Sequence, residues 1–154
     1  MQMKRYLLSY SLLALTVLIA SSCKKPNSKP VSEIIRKVWT VNTVKENNTL
    51  VYTKGGASNI KTTYSKFKLD LSNVAQQTVR WTTIDDVTFV GNWTISSDNK
   101  KLTLTNLQPQ PTGSNGTVEF NINGSPTETQ LNLTRTTPDP KTGNTTNEYQ
   151  LVNP

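Results

Sequence analysis

The stretch "VTFVGNWTISSDNKKLTLTNL" at residues 87–107 holds two alternating segments around a short polar turn. In the first, residues 87–96, Val87, Phe89, Trp93 and Ile95 fall on one side of an extended chain. Apolar residues at a period of two describe a strand with one buried and one wet face. Gly91 stands in the same inward row, where a missing side chain marks a bend or bulge. "SSDNK" at 96–100 has the composition of a tight turn. "KLTLTNL" at 101–107 then pairs back, with Leu102 and Leu104 inward. The unit is an antiparallel hairpin, and the rest of the chain repeats it in both directions.

Upstream, residues 77–83 alternate with Val79 and Trp81 inward. Residues 61–71 read as a strand whose end sets Phe67, Leu69 and Leu71 against Lys66, Lys68 and Asp70. Segments 49–54 and 38–46 flank Asn47-Asn48, and a glycine turn follows at Gly55-Gly56. Downstream, residues 117–122 place Val118, Phe120 and Ile122 inward, and Asn123-Gly124 is a strong hairpin signal. Residues 128–136 present Leu131 and Leu133, and residues 146–152 present Tyr149 and Leu151. "SEIIRKV" at 32–38 predicts a short helical turn, with Ser32 as N-cap and Glu33 in the first turn. Eight or nine short strands with turn signals between them predict an all-β, antiparallel up-and-down β-barrel. Closing the sheet also removes the edges that threonine-rich strands would otherwise expose.

The first twenty-two residues have a different character. Lys4 and Arg5 form a positive head, residues 7–20 are mostly apolar, and Ala20, Ser21 and Ser22 are small. That order describes a signal peptide, and its apolar run falls short of the roughly 20 residues that span a bilayer. Cys23, the only cysteine, follows at once, so the chain forms no internal disulfide. "IASSC" at 19–23 resembles the lipobox of bacterial lipoproteins. The resemblance implies cleavage before Cys23, a diacylglycerol on its thiol and an acylated new amino terminus. Two or three acyl chains hold stably, whereas one alone binds marginally. The expected organisation is therefore a removed signal peptide at 1–22, a lipidated cysteine and tether at 23–31, and a barrel domain at 32–154.

Charge is read with that organisation in mind. The chain carries 17 basic and 10 acidic side chains, a formal charge of +7. Loss of Lys4 and Arg5 leaves +5, and Lys24, Lys25 and Lys29 belong to the tether, so the barrel is near +2. The excess sits at the membrane-proximal end, where basic residues meet anionic headgroups. No nucleic-acid partner is expected.

Several stretches of the mature chain, taken in order, resemble the lipocalin-like lipoproteins of Bacteroidota. They are a helix leading into a tryptophan-bearing strand, "IIRKVWTVNTV", then "KFKLDLS", "GNWTISSDNKKLTLTN" and a terminal "YQLV". Lys37-Val38-Trp39 stands where lipocalins carry Gly-x-Trp. The resemblance covers nearly all of residues 32–152. It implies an exported protein, lipid-anchored at the outer membrane through Cys23, with a lipocalin-like barrel that binds a small hydrophobic or amphipathic ligand. Lys24 and Lys25 follow the cysteine where surface-export signals of such proteins carry acidic residues, so the periplasmic side is expected. Phe67, Trp81, Phe89, Trp93 and Phe120 are the candidate ligand-lining residues. The same side chains serve equally as core, which gives the alternative of a structural or interaction lipoprotein with a filled barrel. A monomer is expected, with an envelope protein as the open partner class.

Catalytic chemistry has little to work with. There is no histidine, the commonest general base and nitrogen metal ligand. The one thiol is assigned to lipid. Asp85 and Asp86 are the only adjacent acidic pair, and they sit in a turn composition. Serine and threonine hydroxyls lack a base to activate them. "TKGGAS" at 53–58 lacks P-loop spacing. A non-enzymatic protein without catalytic residues, metal or cofactor is expected.

Overall fold

The computed structural model describes residues 29–154. Among them, nine strands form one antiparallel sheet that closes on itself. They are β1 (Val38–Glu46), β2 (Thr49–Thr53), β3 (Lys68–Asn73), β4 (Thr78–Thr82), β5 (Thr88–Ile95), β6 (Lys101–Gln108), β7 (Val118–Ile122), β8 (Gln130–Arg135) and β9 (Asn147–Val152). From β3 to β9 each strand pairs with the next, and β9 returns to β1 with Val41 opposite Leu151 and Val44 opposite Tyr149. The other edge of β1 is divided. Its start, Val38 to Thr40, pairs with β3, and its end, Thr43 to Glu46, pairs with β2. The result is an eight-strand up-and-down barrel with one additional strand.

The alternation read in the sequence becomes inside and outside. Leu69 and Leu71, Val79 and Trp81, Leu102 and Leu104, and Leu131 and Leu133 are buried. Their neighbours on the same strands are polar and partly or fully exposed. An apolar interior within a polar exterior is the inverse of a transmembrane barrel, whose lipid-facing band is apolar.

Two differences from the sequence reading have local causes. Residues 62–66 are a 3₁₀ turn rather than the start of a strand, and β3 begins only at Lys68. That turn swings Tyr64 inward to full burial, which an exposed strand start would not achieve. The N-terminal helix, α1, spans Val31–Ile34, with Pro30 rather than Ser32 at the N-cap position and no side-chain cap. Pro30 is tolerated there because the first helical turn leaves its N–H groups unpaired in any case.

The barrel has two unlike ends. Lys29 and α1 lie at the near end with the β5–β6 and β7–β8 turns. Lys29 Nζ is 3.0 Å from Glu128 Oε1, and Lys37 also binds Glu128. Of the stretch read as a tether, then, Lys29 is already tied to the barrel and Val31 packs against its core. The far end carries the β1–β2 turn, where Asn47 and Asn48 both take positive φ as a two-residue hairpin loop requires. It also carries the long connections 54–67 and 136–146. Within the first of these, Asn59 Oδ1 accepts from Thr53 N at 2.7 Å while its Nδ2 donates to Thr53 O at 2.9 Å. Lys61 N donates to Val51 O at 3.1 Å.

Gly91 sits opposite a register shift between β5 and β6, where Val90 faces Gln108 but Asn92 faces Thr105. A Cβ on Gly91 would lie 2.3 Å from the Thr105 carbonyl oxygen. That neighbour is backbone within the barrel wall and cannot swing aside. Gly91→Ala is expected to cost about 2–3 kcal/mol through overpacking, read as a lower urea midpoint at unchanged m-value. A midpoint equal to wild type would show that the wall yields there.

Candidate functional site

The five candidate ligand-lining residues all point into the barrel, and none is more than 2% exposed. Four of them meet through aromatic contacts. Trp81 lies 5.4 Å from Phe89 and 6.0 Å from Phe120, ring centre to ring centre. Phe120 lies 6.1 Å from Tyr149, and Phe67 stacks on Tyr149 at 4.9 Å. Tyr64 and Tyr52 continue the series at 6.3 and 6.2 Å. These separations are those of directly packed rings, so the array forms one continuous aromatic contact inside the barrel. Trp93 is buried apart from the array, with its indole N–H unpaired. Cys23, the expected lipidation site, lies outside the described residues.

The far end of this array is polar, and most of that layer escaped the sequence reading. Arg135 continues the inward row of β8 after Leu131 and Leu133 and is 4% exposed. Its Nη1 lies 2.6 Å from Asp139 Oδ2, and its guanidinium stands 5.9 Å from the centre of the Trp81 ring. Asp139 also accepts from Asn147 Nδ2 at 3.3 Å and from Lys141 N at 3.0 Å. Asn147 Nδ2 reaches the Tyr149 hydroxyl at 3.2 Å. Beside them, buried Glu46 accepts from Tyr64 Oη at 2.7 Å and from Lys61 Nζ at 2.6 Å. Burial, first of all, pushes both phenols above the usual tyrosine range. Tyr149 and the bond to Glu46 add to the effect at Tyr64, and the Asp139 charge adds to it at Tyr149. Arg135 and Asn147 were legible, since each occupies an inward position of an alternating strand. Asp139 and Tyr64 lie in connections, where period-two reasoning has no hold.

Asp85 and Asp86 do not converge. Asp85 binds Lys141 Nζ at 2.6 Å, while Asp86 binds Lys66 at 3.4 Å. Partial burial acts to raise the Asp85 carboxyl, but hydrogen bonds from Lys141 and Thr83 outweigh it and hold the group below the usual range. Among the described residues, no three His, Cys, Asp or Glu side chains gather as a metal site.

Two clefts open on the outside of the barrel. A groove of about 400 Å³ runs across the outer face of β1, β9 and β8, lined by Thr43, Lys45, Asn123, Asn132, Glu148 and Gln150, with the buried Leu133 and Tyr149 beneath them. A second cleft of about 440 Å³ opens at the near end beside Val31, Asp98, Lys100, Ile122 and Ser125. No family model, no curated protein and no solved structure matches the chain.

Proposed function

We propose that this protein is a lipid-anchored lipoprotein of the bacterial outer membrane, with a lipocalin-like barrel that serves as a non-enzymatic interaction module. The observation that carries this reading is the aromatic array. Rings packed at 4.9 to 6.3 Å occupy the volume in which a lipocalin would hold its ligand. The outer surface is then what remains for recognition. The signal-peptide layout ending at Cys23 and the resemblance to lipocalin-like lipoproteins support the anchor. Lys29 emerges at the near end, so an anchor at Cys23 turns the near end toward the bilayer and the far-end connections away from it, on the periplasmic side.

A small ligand inside the barrel remains the competing reading, and one observation favours it. Trp81 Nε1 and Arg135 Nε are buried without an acceptor, and they would suit a ligand carboxylate if the rings moved apart.

Two measurements test the reading. Metabolic labelling with a radioactive fatty acid should mark the wild-type protein, and Cys23→Ser should abolish both label and membrane retention. Label on the Cys23→Ser protein would overturn the anchor. An amphiphilic fluorescent probe such as anilinonaphthalene sulfonate should gain no saturable emission from the folded barrel. Stoichiometric binding with quenching of tryptophan emission would favour the internal ligand instead.

A further inference from the structure

The outer groove on β1, β9 and β8 is built differently from an ordinary solvated sheet face. Register sets Thr43, Gln150 and Asn132 in one cross-strand row, and Asn123 N donates to Asn132 O at its end. Each amide in this row is held by one of its ends. Gln150 Oε1 accepts from Asn42 Nδ2 at 3.0 Å and from Thr43 Oγ1 at 3.2 Å, which leaves its NH₂ to face outward. Asn132 Oδ1 accepts from Gln130 Nε2 at 3.1 Å, leaving its NH₂ free. Asn123 Nδ2 donates to Thr134 Oγ1 at 2.6 Å, leaving its carbonyl oxygen free. The groove therefore offers two amide donors and one amide acceptor whose positions are fixed before anything binds. Fixed groups lose less conformational freedom on binding than mobile ones.

Charge narrows the partner. Lys45 and Glu148 face one another directly across β1 and β9, and they are the only charged residues among those lining the groove. The lining is therefore electrically balanced, which disfavours polyanions and polycations alike. It contains no exposed apolar platform for a hydrophobic peptide, as Leu50, Ile60, Val74 and Val90 all lie elsewhere. A volume of about 400 Å³ falls within the range of small-ligand sites. A chain of hydroxyls, each of which both donates and accepts, meets such a neutral set of donors and acceptors.

We infer that the groove over β1, β9 and β8 binds a neutral polysaccharide, gripped by Gln150, Asn132 and Asn123. This deepens the interaction-module reading and rests on it, but it needs neither the lipid at Cys23 nor the orientation of the barrel.

The test is affinity electrophoresis of the folded protein in native gels that contain dextran, mannan or a neutral β-glucan, with alginate as the acidic control. At least one neutral polymer should retard the wild-type protein, and raising the salt should leave the retardation unchanged. The Gln150→Ala, Asn132→Ala double variant should lose at least five-fold in apparent affinity while keeping its thermal midpoint. Gln130→Ala, which removes only the support of Asn132, should lose less. Migration unaffected by every neutral polymer would overturn the proposal, as would equal retardation of the double variant. Retardation by alginate alone, abolished by salt, would also overturn it and point to charge. Each of these failures leaves the fatty-acid labelling and the probe experiment standing as separate tests of the anchored, filled barrel.

Discussion

Asp139→Asn is expected to destabilise the barrel by about 3 kcal/mol, although it changes almost nothing in shape. The side chain closes a buried pair with Arg135 at 2.6 Å, and both partners are nearly inaccessible to water. Removing one member of such a pair leaves the other as an uncompensated charge, at a typical cost of about 3–5 kcal/mol. Asparagine keeps one oxygen to accept from Lys141 N, but sets an NH₂ where Oδ2 accepted from Arg135 and Asn147 Nδ2, so the loss includes that hydrogen bond as well as the charge. The compensating variant carries Arg135→Met together with Asp139→Asn. The unbranched apolar side chain of methionine fills much of the inward position of β8 beside Trp81, and the double variant should recover all but about 1 kcal/mol of the loss. Urea unfolding of the two variants and the wild type measures both numbers. A single variant within about 1 kcal/mol of wild type would mean that water reaches Arg135.

Alkali should unfold the protein steeply. The folded state holds the Tyr64 and Tyr149 phenols protonated well above their usual range, chiefly because burial opposes the phenolate. An unfolded chain releases the same protons near pH ~10. Above that pH the folded state binds more protons than the unfolded state, so stability falls as pH rises. The stability that these neutral phenols contribute is fully present below pH ~10 and is lost progressively above it. One group accounts for about 1.4 kcal/mol per pH unit, and two together for about 2.7. Phenolate absorbance from these two residues should therefore rise together with loss of the β-sheet circular dichroism signal. Tyr64→Phe should remove roughly half of the pH slope. Full phenolate development while the sheet signal persists would contradict the burial argument.

Much of the barrel could be read directly from alternation. The hairpin at 87–107 shows why: each strand buries one face and wets the other, so period two survives in composition. Residues 38–46 form a strand over that same range. The misreading at 61–66 has the same root. "KTTYSK" has β-favouring threonines and a tyrosine, and nothing local reveals that Tyr64 is drawn inward by Glu46, eighteen residues away. Placing Ser32 at the helix start failed for a different reason. Propensity favours serine at a cap, but the chain had already turned at Pro30. The candidate lining residues were found correctly as inward side chains. Whether inward rings enclose space or fill it depends on distances across the barrel, and a sequence carries none. The groove amides were hidden because outward polar residues on a strand look alike until register sets Gln150 beside Thr43.

A closed barrel has no free strand to offer, but β2 lies outside the closure and borders only the end of β1. The side chain of Asn59 meets the outward N–H and C=O of Thr53 together, as a neighbouring strand would. Asn59, with Lys61 N on Val51 O beside it, thus stands in for a tenth strand and blunts the place where another chain could add itself. That contact is a guard against polymerisation through the sheet edge.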